Sequence, residues 1–318
     1  MLLNISEMKK TIDNFIVQSR FIKLYSLMLL ICYCHRDETS LRYDTNPAWS
    51  PDGNYIAFCR MIKEDLLDTL KPDELDYSIL GDVGIKLLDL NTGKEQILVH
   101  TFSELDWTKD SRWIIYEGIY KVDAKNGKIM RILIDTFSFY PVVSPDGSRI
   151  LYCSTPPDSI IRIGSGIYLT DINGSYRKYL VCGLYPDWHP SGDRFLFCNG
   201  FNLCIADTNG NVIKTIIENK NIRSPRFSPD GSKIIYCDGY TEGVDEKDAY
   251  IYLIDTLVVE QKIITHGIEP RWSPDGKEIV FSGYDDTNGG MILWIMDIDG
   301  NNIKKDNRPG LKKCFAFL

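Results

Sequence analysis

From Asn46 onward the chain alternates short apolar runs with turn residues. "YIAF" (Tyr55–Phe58), "RILY" (Arg149–Tyr152), "RFLF" (Arg194–Phe197), "KIIY" (Lys233–Tyr236) and "EIVF" (Glu278–Phe281) share one pattern. A second run follows each, such as "IYLTD" (Ile167–Asp171), "LCIAD" (Leu203–Asp207) or "LWIMD" (Leu293–Asp297). Ile, Val, Leu, Tyr and Phe fill runs of strand length, and helix-length amphipathic periods are lacking, so the pattern predicts β-strands. Met61–Leu75 is the one stretch where a helix stays open as an alternative.

The turns repeat as well. "WSPDG" stands at Trp49–Gly53 and Trp272–Gly276, with variants at Trp107–Ser111, Val143–Gly147, Trp188–Gly192 and Phe227–Gly231. Counted at Ser50, Thr108, Ser144, His189, Ser228 and Ser273, the copies are 58, 36, 45, 39 and 45 residues apart. Such a period belongs to repeat architectures, and four strands per unit is the content of a propeller blade. The expected fold is all-β, a six-bladed β-propeller of four-stranded antiparallel blades.

The turn chemistry is local. Ser bonds within its own loop, Pro presets φ, Asp accepts from nearby amides and Gly supplies the left-handed conformation. The aromatic residue before the turn is large enough to wedge between neighbouring blades, where burial is worth about 2–3 kcal/mol. Pro47, Pro141, Pro186, Pro225 and Pro270 precede it by two residues and mark an edge strand, the innermost of each blade. A second turn runs from Asp to Gly, as in Asp207–Gly210; Asp255 is followed by "TLVV" and must turn differently.

"PxWSPDGxxIxF" followed by "IYLxDxxG" resembles the repeat of the TolB-like β-propellers, whose blades also occur in the non-catalytic domain of prolyl oligopeptidase-type peptidases. The resemblance covers Asn46 to about Asp306. It implies a six-bladed disc, most often exported, that serves as a protein-binding module. Neither the N-terminal α/β domain of TolB nor a peptidase catalytic domain is expected here.

Composition narrows the classes. The 318 residues are 44% hydrophobic and 12% aromatic, enough for a large core, with a formal net charge of -8. With no basic stripe, a nucleic-acid partner is not expected. Residues 1–34 end in an uncharged run, Leu24–Cys34, after Lys9, Lys10, Arg20 and Lys23, and read as an export signal or hydrophobic anchor. Cys32 and Cys34 resemble a lipoprotein acceptor, although Ile31 and Tyr33 stand where a small residue belongs. Residues 35–45 read as a linker and 46–318 as the propeller. A periplasmic or envelope address follows, with membrane attachment through the N-terminus. Cys59, Cys153, Cys198 and Cys237 occupy equivalent places in separate units, too far apart for disulfides, and read as small buried hydrophobes. Free thiols pull against export.

Two sets of site residues are expected. The connections between second and third strands should open on the face opposite the glycine turns, and they vary most in length, which marks a working surface. Three of them, Arg60–Gly84, Asp238–Ala249 and Ser282–Gly290, are acidic, and Asp73, Asp76, Asp245, Glu246, Asp285 and Asp286 are taken as a face for a protein or basic peptide. Residues flanking the innermost-strand prolines form the channel set: Glu104, Asp106, Tyr140, Tyr185, Asp187, Arg226, Glu269 and Arg271. They either pair as ions between blades, Asp187 with Arg226 and Arg271 with Glu104 or Asp106, or line a ligand site. No nucleophile elbow, metal-ligand spacing or cofactor motif occurs, so no catalytic residue, metal or cofactor is expected. The alternatives are a carbohydrate-active or hydrolytic enzyme working in the channel, or a stand-alone relative of a peptidase gating propeller.

Overall fold

The computed structural model describes residues 41–63, 83–132, 138–155, 165–238, 248–257, 260–287 and 289–305. Residues 1–34, which read as an export signal or anchor, and the stretch after Lys305, where the sequence leaves a seventh unit or a clasp open, fall outside the described residues. So does most of the stretch Met61–Leu75.

Six units follow one another. They are β1 (Leu41–Trp49), β2 (Tyr55–Lys63), β3 (Gly84–Asp89) and β4 (Glu95–Val99); β5 (Leu105–Trp107), β6 (Trp113–Tyr116), β7 (Tyr120–Asp123) and β8 (Ile129–Arg131); and β9 (Ser138–Val143), β10 (Arg149–Ser154), β11 (Gly166–Asp171) and β12 (Lys178–Cys182). Then come β13 (Leu184–Trp188), β14 (Arg194–Asn199), β15 (Asn202–Asp207) and β16 (Val212–Ile217); β17 (Ile222–Phe227), β18 (Lys233–Asp238), β19 (Tyr250–Asp255) and β20 (Gln261–His266); and β21 (Ile268–Trp272), β22 (Glu278–Tyr284), β23 (Met291–Asp297) and β24 (Lys304–Lys305). The second to fifth units are separate four-stranded sheets, whereas the first and sixth share an eight-stranded one. Within every unit the strands pair antiparallel in chain order, giving the four-stranded antiparallel blades of an all-β propeller.

The ring closes on itself. First strands touch in the order β1, β5, β9, β13, β17, β21 and back to β1. Tyr43 in β1 pairs in parallel with Met291 in β23, which joins the first unit to the last. That bridge comes from Leu41–Thr45, a stretch with linker-like sequence that here forms the start of β1.

The core lies in the seams between units. Phe58 and Ile56 pack with Val280 and Leu293; Leu151 and Ile167 pack with Phe195 and Phe197; Ile235 and Ile251 pack with Ile279 and Phe281. Each apolar strand face therefore buries itself against the next sheet. The cysteines belong here: Cys59, Cys153, Cys198 and Cys237 are buried, free thiols. The Cys59 thiol donates to the Ser103 carbonyl at 2.8 Å and Cys198 to Ile222 at 3.4 Å, so each touches the chain on its way into the next unit.

The repeated turn is held as its residues predict. Ser228 Oγ donates to Asp230 at 2.6 Å and accepts from the Lys233 amide at 2.9 Å, while Asp230 accepts from the Ser232 amide at 3.0 Å. Gly231 sits at φ 74°. Ser50, Ser144 and Ser273 repeat the arrangement, and Thr108 reproduces it with Asp110. The second turn brings a glycine against the preceding unit: a Cβ on Gly210, at φ 91°, would stand 2.2 Å from the Leu180 carbonyl oxygen. Only glycine fits there.

Candidate functional site

First strands run from the end bearing the long connections toward the end bearing the glycine turns. Residues before the proline therefore lie nearer the connection end, and residues after it lie deeper. Asn46, Tyr140, Tyr185, Ser224 and Glu269, each directly before a proline, all hold left-handed backbone with φ between 47° and 55°. The ladder to the second strand shifts register at each of these points. Proline has no N–H for the ladder, so the extra residue is accommodated as a bulge that turns its side chain. In the second unit Leu105 replaces the proline, and β5 pairs with β6 in unbroken register.

At the deeper level charged residues act as latches between units. Asp187 Oδ2 accepts from the Phe227 amide of the next unit at 2.8 Å, and Asp106 Oδ2 accepts from Val143 at 2.8 Å. Nearer the connection end, a carboxylate oxygen of Glu269 accepts from the Asn46 amide and ties the sixth unit to the first. The other three seams use indole. Trp107, Trp188 and Trp272 donate Nε1–H to the carbonyls of Ala48, Val142 and Arg226, at 3.1, 3.2 and 3.3 Å. Seams thus alternate between a tryptophan donor and a carboxylate acceptor around the ring. The indole N–H of Trp49, where the ring closes, is buried with no acceptor among the described residues.

The expected ion pair forms: Arg226 Nη1 lies 3.4 Å from Asp187 Oδ1 and 3.0 Å from the Pro186 carbonyl. Arg271 reaches across the axis to the Leu105 carbonyl at 3.5 Å and lies in the field of Asp106 and Asp187. Burial raises Asp187 to about 6 and raises Asp106, each opposed by a nearby arginine. Burial, with the like charge of Arg226, lowers Arg271 to about 10. Nearer the mouth, the Tyr140 and Tyr185 rings sit 4.4 Å apart, and burial lifts Tyr185 to about 12. Asp106, Asp187, Arg226 and Arg271 therefore hold the ring together across the channel. Glu104, Tyr140 and Tyr185 lie nearer its mouth.

Of the expected connection-face acids, Asp73, Asp76, Asp245 and Glu246 lie outside the described residues. Asp285, expected on the face, is instead buried at 3% exposure: it accepts from the Thr287 amide at 3.1 Å and from Lys305 Nζ at 2.6 Å. Its position inside a tight turn turns its carboxylate inward. Asp286 is exposed and lines a cleft between the fifth and sixth units.

That cleft has a volume of about 380 Å³ and was not foreseen from spacing. Asp248, Thr265, His266, Phe281, Tyr284, Asp286, Trp294 and Ile303 line it, drawn from strand ends that meet only in the folded ring. His266 packs on Tyr250 with ring centroids 4.1 Å apart, and Trp294 donates to the Gly283 carbonyl at 3.0 Å. Among the described residues no group of three or more His, Cys, Asp or Glu side chains is placed to hold a metal ion. His100 bonds the Val83 carbonyl through Nδ1 at 2.9 Å, and His189 caps its turn through Ser191.

No family model matches the chain. It is 36% identical over 137 residues to the Tol-Pal system protein TolB of Alcanivorax borkumensis, covering 40% of this chain and 29% of that protein. It is 30% identical over 92 residues to the uncharacterized peptidase YuxL of Bacillus subtilis, covering 27% of this chain and 14% of the other. The chain thus spans less than a third of the length of either curated relative. Among solved structures it is similar to a putative TolB from Agrobacterium tumefaciens, with TM-score 0.57 at 20% identity over 70% of this chain and 87% of that one. TolB from Acinetobacter baumannii gives TM-score 0.54 at 19% identity over 82% and 62%. An oligogalacturonate lyase in complex with manganese gives 0.52 at 15% over 83% and 77%. At such identities the structural likeness speaks to fold alone. The chain resembles TolB proteins in sequence over part of its length and in propeller fold over most of it.

Proposed function

We propose that this chain is a six-bladed, non-enzymatic binding module of the bacterial cell envelope that presents its connection face to a protein or peptide partner. Six blades follow from treating the eight-stranded sheet as two units, since its halves share a single ladder pair, Tyr43 with Met291. The observation that carries the reading is the sequence likeness to the Tol-Pal system protein TolB, on a ring whose channel charges are already committed to its seams. Those commitments support a structural role for the channel waist and favour the mouth and the long connections as the working surface. The acidity of the connection between β2 and β3, seven acids against Lys71 over residues 64–82, favours a basic partner. A periplasmic address with an N-terminal attachment is part of the same proposal.

The test is photocrosslinking in the full chain. A benzophenone amino acid at Asp73 or Tyr140, on the connection end, is expected to capture a discrete partner in envelope fractions. The same residue at Asp52 or Asp230, in the glycine turns, should capture none. Capture from the turn end alone would overturn the assignment.

A further inference from the structure

We propose that the cleft between the fifth and sixth units is a subsite for a lysine or arginine side chain of a bound polypeptide. This rests on the binding-module reading and names the chemistry of one part of it.

The floor is aromatic. Gly283 and Gly267 have no Cβ, so the Trp294 and Phe281 rings lie against bare backbone: a Cβ on either would fall 2.6 Å from a ring carbon. Tyr284 stands exposed on one wall and His266, braced by Tyr250, on the other. Aromatic faces attract cations through their quadrupole. The chain already uses this attraction beside the cleft, where Lys305 Nζ lies 5.5 Å from the Trp294 ring centre.

The rim is acidic. Lys305 is spent on Asp285, and among the described residues neither Asp248 nor Asp286 has a basic partner. The two stand on different units, Asp248 just before β19 and Asp286 just after β22, so they face the cleft from opposite sides. Two exposed carboxylates around an aromatic floor match a long aliphatic stem ending in a positive charge. The volume of about 380 Å³ accommodates that side chain with its flanking backbone. A neutral sugar would use the rings and leave the charges unused, and an acidic sugar would be repelled.

The experiment is fluorescence anisotropy of the full chain with a labelled peptide, Gly-Lys-Gly-Arg-Gly, against the same peptide with norleucine at both cationic positions. The cationic peptide should bind and the norleucine peptide should bind at least tenfold more weakly. Asp248→Asn and Asp286→Asn should each weaken the cationic peptide about threefold and the double variant about tenfold, with Tyr284→Ala costing about threefold. All three side chains are exposed, so unchanged thermal unfolding serves as the folding control. Equal binding by the double variant, or by the norleucine peptide, overturns the proposal, as does displacement of the peptide by a neutral oligosaccharide. Tyr140 is not among the residues lining this cleft, so a successful crosslink there beside a failed titration would sink the subsite alone.

Discussion

Asp187 accepts a hydrogen bond from the backbone amide of Phe227, 40 residues away, at 2.8 Å. The contact crosses from the fourth unit to the fifth and places a carboxylate at the waist of the ring, against Arg226. A residue that looks from its spacing like a channel-lining ligand group is thereby a fastener. Asp106 does the same two seams earlier.

Asp187→Ala removes the acceptor for both Phe227 N–H and Arg226. The expected cost is about 3 kcal/mol, because a buried donor and a buried cation are left uncompensated. Urea denaturation measures it. A cost below about 1 kcal/mol would mean the carboxylate is solvated.

The pH dependence of that site has a definite sign. Burial holds Asp187 at about 6, above the unfolded value of about 3.9. The native chain binds this proton more tightly than the unfolded chain, so the contribution is full below about pH 4 and is lost as pH rises to about 6. Stability of the wild type relative to Asp187→Asn should therefore fall between pH 4 and 6.5. Parallel curves would rule out the raised carboxyl.

The alternation of seams predicts unequal tryptophans. Trp107→Phe, Trp188→Phe and Trp272→Phe each strand a carbonyl acceptor and should cost about 1–2 kcal/mol. Trp49→Phe should cost less, since its buried indole N–H has no acceptor to lose among the described residues. Four denaturation midpoints decide the matter, and a Trp49 variant as damaging as the others would contradict the ordering.

Asp146 and Asp230 sit at about 2, held down first by the serine hydroxyls at the head of their turns and then by backbone amides. Their stabilisation is present above about pH 4 and lost as pH falls toward 2. Ser228→Ala should cost about 1 kcal/mol at neutral pH and make the chain less sensitive to acid over that interval. Carboxyl titration by NMR would show Asp230 moving up in the variant.

Left-handed backbone before the prolines sets a further expectation. Ser224, at φ 47°, pays a conformational cost that glycine would not. Ser224→Gly should be neutral or stabilising by up to about 1 kcal/mol, whereas Ser224→Val should destabilise by about 1–2 kcal/mol. Equal effects of the two would argue against the strained conformation.

Among the six cysteines in described segments, Cys182 alone is exposed, while Cys59, Cys153, Cys198, Cys204 and Cys237 are buried. Burial also pushes the Cys59, Cys198 and Cys237 thiols up, Cys237 to about 12. Brief alkylation of native protein followed by peptide mass mapping should mark Cys182 before any of the other five.

What the amino-acid order determined by itself is whatever closes within a few residues. A serine hydroxyl, an aspartate two positions on and a glycine after it complete a turn without help from the rest of the chain, so "SPDG" announces each unit. Strand content, the four-stranded unit and the burial of Cys59, Cys153, Cys198 and Cys237 follow from the same short range, because each is a matter of periodicity. Pro47 and its counterparts also signal an edge strand locally, but not the left-handed residue before them, which depends on how the bulge meets its partner strand.

Tertiary structure decided what those units do to one another. Asp187 meets Phe227, Trp107 meets Ala48 and Tyr43 meets Met291 only once sheets stand side by side in a ring. Asp285 and Asp286 are adjacent and alike in sequence, yet one is sealed against Lys305 and the other faces an open cleft. The physical reason is distance along the chain: a contact across some 40 residues or more has no local energy to leave a trace in spacing, and its partner is chosen by packing alone.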